Sequence, residues 1–124
     1  MKSPATEATA AGKAWKVAVP VGTSEVFRCV DGSRDGLWGS AYFAFRIPQD
    51  QVGWYFAQMG VEVVPGYDVR AEFSDFATKS GHDVSAAKEY EAGSVSNGGI
   101  THTVLADEDL GDVATVYVWA VSSG

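Results

Sequence analysis

Between Ala41 and Gly60 the apolar period changes once, and that change constrains the fold more than any other feature of the chain. Ala41, Phe43, Phe45 and Ile47 alternate with Tyr42, Ala44 and Arg46, the period of two that a half-buried strand requires. Beyond Pro48 the spacing turns helical. Val52, Tyr55, Phe56 and Met59 stand at i, i+3, i+4 and i+7, so one apolar stripe can be laid back over the preceding strand. Pro48 is expected to start the helix, where its missing N–H is harmless, with Asp50 in the first turn favoured by the dipole and Gly60 ending it. Gly53 costs such a helix on the order of 1 kcal/mol relative to alanine, so it must be held by packing.

The remaining strands are legible to different degrees. Residues 1–14 are rich in Ala, Thr and Ser and poor in large apolar groups, and read as a disordered tail or tether; residues 15–124 read as a single domain. Order is expected from Trp15, in an edge strand where Trp15, Val17, Val19 and Val21 alternate with Lys16, Ala18 and Pro20. Val26 to Val30 is expected to form a hairpin with Gly39 to Ile47 across a long loop marked by Asp31-Gly32 and Asp35-Gly36 and tipped by Arg34. Val61 to Val64 is a short apolar segment closed by Pro65-Gly66. Between Tyr67 and Ala92 only a helical turn around Phe73, Phe76 and Ala77 and a short helix from Asp83 through Tyr90 are suggested. Asn97-Gly98-Gly99 signals a turn before a strand at Ile100 to Ala106. The loop ADEDLGD precedes Val113 to Val121, which is apolar on both faces and therefore central in its sheet. The expected class is α+β: a mainly antiparallel sheet of about five or six strands with one short amphipathic helix packed on one face.

Composition narrows the functions. A formal charge of -7 with scattered Lys and Arg argues against nucleic acid and against an anionic membrane surface, and a basic protein partner would be steered towards the chain. No apolar run is long enough for a transmembrane segment. Cys29 is the only cysteine, so neither an internal disulfide nor a thiolate metal cluster is expected, and its apolar neighbours point to burial rather than nucleophilic use. His82 and His102 lack the surroundings of a nucleophile, base and orienter, and His102 reads as a polar residue on a strand face. Asp107, Glu108, Asp109 and Asp112 resemble a calcium loop in composition only: Gly111 stands where a third oxygen ligand belongs, and the downstream Glu is missing. No cofactor is expected, and no catalytic set can be named.

Aromatic residues carry the stronger signal. Trp38, beside a turn, and Trp54, off the helix stripe, fit the core pattern poorly, and with Tyr42 they form a candidate ligand-binding surface. Phe45-Arg46-Ile47-Pro48 and the closing Val116-Tyr117-Val118-Trp119-Ala120 after an acidic loop resemble small uncharacterised actinobacterial α+β domains, lipoprotein-like or secreted. The tail is similar to the tether that follows a lipoprotein signal. The resemblance implies action outside the cytoplasmic membrane, with the start at Met1 replacing a removed signal; without it the absence of an apolar leader implies the cytoplasm. The expectation is thus a non-catalytic bacterial envelope or secreted binding domain for a protein or small ligand. The alternative is a small acidic inhibitor or immunity-type protein that meets a basic protein through Asp107, Glu108, Asp109 and Asp112.

Overall fold

The computed structural model describes residues 6–7, 15–20, 24–33, 38–64, 73 and 88–122, with the backbone alone at 6–7, 24–33, 38 and 97. The elements are β1 (Thr6–Glu7), β2 (Val19–Pro20), β3 (Ser24–Ser33), β4 (Trp38–Pro48), a 3-10 turn (Gln49–Gln51), α1 (Val52–Met59), β5 (Tyr90–Asn97), β6 (Ile100–Asp107) and β7 (Val113–Ser122). The main sheet runs in the order β3-β4-β7-β6-β5, and every neighbouring pair is antiparallel. An antiparallel sheet with one short helix fits the α+β class. The doubly apolar β7 lies between β4 and β6, where both of its faces are covered.

Strand parity sorts the core into two layers. On one face Ala41, Phe43, Phe45 and Ile47 of β4 join Val116 and Val118 of β7 and Val104 of β6, under Val52, Tyr55 and Phe56 of α1 and under Trp15, Val17 and Val19. On the other face Tyr42, Ala44, Ala92, Leu105 and Tyr117 pack with Phe73. The helical stripe behaves as its spacing requires, with Val52, Tyr55 and Phe56 buried and Met59 half-buried against the same cluster. Gly60 ends α1 in the left-handed region at φ 71°, its N–H donating to the Ala57 carbonyl.

Several local expectations are corrected. Pro48 is the last residue of β4, extended at φ -57° and ψ 142°, and the 3-10 turn separates it from the α-helix. β3 runs on to Ser33 and pairs Asp31 with Ser40 and Gly32 with Gly39, so the long loop expected from Asp31 is largely strand, and a bulge between Glu25 and Phe27 absorbs the offset. The strand expected over 15–21 shrinks to Val19–Pro20. Its partner is Thr6–Glu7, within the stretch read as a tether; the rest of residues 1–14 lie outside the described residues. The helix expected to reach Tyr90 does not: Lys88 and Glu89 form a bend and Tyr90 opens β5. Its earlier part and the turn around Phe76 and Ala77 lie outside the described residues.

β5 reads weakly as a strand because YEAGSVSN is small and polar, yet its placement depends on that smallness. Residues 61–64 cross it, with the Val64 N–H donating to the Ala92 carbonyl at 3.0 Å. A Cβ on Gly93 would collide with the Glu62 carbonyl and the Val61 side chain. The β5–β6 turn is Gly98–Gly99, at φ 63° and 81°, the twin positive values of a tight hairpin whose register pairs Asn97 with Ile100.

Candidate functional site

The side chains that frame a cavity come from segments far apart in the chain. Trp15 to Ala18 packs over the first face of the sheet and is tied down at three points. Tyr55 donates its hydroxyl to the Ala18 carbonyl at 2.7 Å, the Ala18 N–H points at Met59 Sδ at 3.3 Å, and His102 Nε2 meets the Trp15 carbonyl at 2.8 Å. Because a carbonyl only accepts, Nε2 carries the proton and donates. A groove of about 300 Å3 remains open beside this strap, lined by Lys16, Ala18, Gln58, Met59, Gly60, Val95 and His102.

His102 lies deeper than its polar neighbours suggest. It is 5% exposed and shares parity with Ile100, Val104 and Ala106, the apolar face of β6, which corrects its reading as an ordinary polar strand-face residue. Burial lowers its pKa below 6.5, against the raising effect of the Trp15 carbonyl and with a smaller lowering from Lys16. The ring is accordingly a neutral, oriented donor. Lys16 adopts φ 57° and is the non-glycine residue among those described that enters the left-handed region. Its ammonium lies over the β5–β6 turn, where Nζ would be 3.0 Å from a Cβ on Gly98.

The opposite end of β6 holds the acidic residues, and they are largely engaged with the chain itself. The Asp109 carboxylate accepts the Glu89 N–H at 2.6 Å and the Lys88 N–H at 3.1 Å; those bonds, Glu89 first, lower its pKa. The Asp107 carboxylate accepts the Asp109 N–H at 3.0 Å, and partial burial raises its pKa. Glu108 receives the Gln49 amide, and its own N–H donates to the Glu89 carbonyl at 2.7 Å. Desolvation, followed by a hydrogen bond with the Glu91 carboxyl, pushes Glu108 up to about 7. The Gln49 N–H donates to the Asp112 carbonyl at 2.9 Å, which completes a clasp between the β6–β7 loop, the 88–89 bend and the start of the helical segment. Asp112 itself is exposed. No group of three or more His, Cys, Asp or Glu able to hold a metal ion occurs among the described residues.

Tyr42 and Trp54 are not brought together: they pack on opposite faces of the sheet. Tyr42 is 2% exposed and stacks on Trp119 on the second face, with ring centroids 5.9 Å apart, so its ring is part of the core and not of a surface. Trp54 is half-buried on α1, over the first face, tilted against Tyr55 at 6.5 Å. Trp38 begins β4 opposite Ser33; its side chain, that of Cys29 and the whole of His82 lie outside what is described. The groove escaped the sequence reading because its walls are scattered from Lys16 to His102. One available signal was the parity that places His102 beside Ile100 and Val104.

No protein-family model matches the chain, and neither a curated protein nor a solved structure matches it. Among the described residues no helix is long and apolar enough to cross a membrane.

Proposed function

We propose that the chain is a non-catalytic binding domain, of the kind implied by its resemblance to envelope domains, and that its ligand seat is the groove beneath Trp15 to Ala18. The observation that carries this reading is the three-point tie of the strap. Bonds from Tyr55, from His102 and to Met59 hold the segment beside β6 and α1 while about 300 Å3 stays open. Small-ligand sites are concave, mostly apolar and furnished with a few fixed polar groups, and their volumes start at roughly 300 Å3. The lining has that composition: Ala18, Met59 and Val95 are apolar, while Lys16, Gln58 and His102 are polar. Titration of a fragment library into isotope-labelled protein should move the amide signals of Lys16, Gln58, Val95 and His102 together. Those shifts should vanish when Val95→Trp fills the groove; scattered shifts, or none, would sink the reading.

A second reading, the small acidic inhibitor, is favoured by Leu110. It is 65% exposed at the tip of the β6–β7 loop, beside the exposed Asp109 and Asp112, an apolar anchor in an acidic surround. Association with a basic partner should then slow steeply with added salt and weaken in Leu110→Ala. Salt-independent capture would argue against it.

A further inference from the structure

We infer that the ligand of the groove is a small organic anion, a monocarboxylate with an apolar body, and that the Lys16 ammonium is its counter-charge. The inference rests on the binding reading above and adds the ligand's chemical class. The chain carries 16 acidic and 9 basic residues, yet among the described residues the lining of the groove includes Lys16 and His102 and no carboxylate. An anion entering there meets no like charge in contact among the described residues. Acidic groups elsewhere are screened over about 10 Å at ordinary ionic strength.

Lys16 makes no ion pair among the described residues, and its backbone conformation is an unusual one. A left-handed conformation costs a side-chain-bearing residue roughly 1–2 kcal/mol, and such conformations gather where a group must be aimed. Here the ammonium is held over the Gly98 turn, while the residue itself lines the groove. The C-terminal end of α1, whose partial negative charge would oppose an anion, also borders the groove. That opposition is blunted because the Ala57 carbonyl accepts the Gly60 N–H and the Phe56 carbonyl accepts the Val61 N–H, at 3.1 and 2.9 Å. Lys16 therefore sets the local sign. Ala18, Met59 and Val95 offer the apolar contact for the rest of the molecule, and the flexible thioether of Met59 adapts to its outline.

The test uses matched probes that differ chiefly in charge: phenylacetate against phenylacetamide and hexanoate against hexanol, each titrated into the labelled chain at ordinary ionic strength. The carboxylates should move the Lys16, Gln58 and Val95 amides and bind about tenfold more tightly than their neutral partners, in keeping with a charge-assisted contact. Lys16→Gln should abolish that preference, and Lys16→Arg should keep it. Equal binding of charged and neutral probes in the groove would overturn the anion inference while leaving the binding reading intact. Absence of groove shifts with every probe would overturn both.

Discussion

The two ends of β6 meet the same physical problem and answer it in opposite directions. Near its start, His102 is a buried base; at its end, Glu108 is a partly buried acid beside a second carboxyl. In both places loss of water disfavours the charged form, so the base is kept deprotonated and the acid is kept protonated. Their linkage to stability therefore has opposite signs. A base with a depressed pKa stabilises the fold fully above its unfolded value of 6.5, and the contribution is lost as the pH falls below that. An acid whose pKa rises from 4.5 to about 7 stabilises the fold fully below 4.5, and that contribution fades as the pH climbs to about 7. Over the shared mildly acidic window the two trends oppose each other, and the intact protein should show a shallow dependence of stability on pH.

The largest expected effect breaks both ends together. Gly93 lies on β5 between Glu91, whose carboxyl hydrogen-bonds Glu108, and Val95, which borders the groove beside His102. Gly93→Ala forces a Cβ into the crossing backbone at Glu62 and should cost about 2–3 kcal/mol in chemical denaturation, the range of overpacked sites. A cost below about 0.5 kcal/mol would show that the crossing gives way. His102→Leu comes next. It leaves the buried Trp15 carbonyl without its donor, at a cost of about 1–3 kcal/mol, and should expose the uncompensated acid trend, with stability falling as the pH rises to neutrality. A variant that kept the shallow profile would disprove the opposition.

Gly53→Ala serves as the control between them. The site is exposed on α1 with open space for a Cβ, so stability should rise by roughly 0.5–1 kcal/mol at every pH without a change of slope. Glu108→Gln is expected to be smallest at pH 7, within about 0.5 kcal/mol because the group is partly exposed. Its signature is the reverse slope, with stability now rising with pH, and denaturation midpoints measured across the mildly acidic range would reveal it.

The parts of the molecule that could be read from sequence are those in which one residue's neighbours along the chain are also its reporters. Ala41 to Ile47 and Val52 to Met59 announce their periods locally, and Gly98–Gly99 announces a turn that only positive φ can close. β5 hides because the residue that matters most there, Gly93, is small in order to let residues 61–64 pass, a demand made by a distant segment. Tyr42 looked like a binding residue because it stands on the polar face of an alternating strand. Phe73 and Trp119 make that face a second apolar layer, which no local pattern discloses. The clasp was visible as charge but not as bonding: Asp109 spends its carboxylate on the Lys88 and Glu89 amides, so composition overstates the charge left for a partner.

The position of β7 carries a consequence for biosynthesis. β3, β4, β5 and β6 are all made before Val113–Ser122, yet β4 and β6 never touch edge to edge; the β3–β4 and β5–β6 pairs are joined only through β7 between them. Until that segment has been synthesised, a nascent chain holds two separate hairpins with open edges and half a core. The sheet then closes through contacts of long sequence separation, the kind that slow folding and lengthen exposure to aggregation. A chain cut short within β7 would thus carry the strands of both hairpins and lack the one that joins them into a sheet.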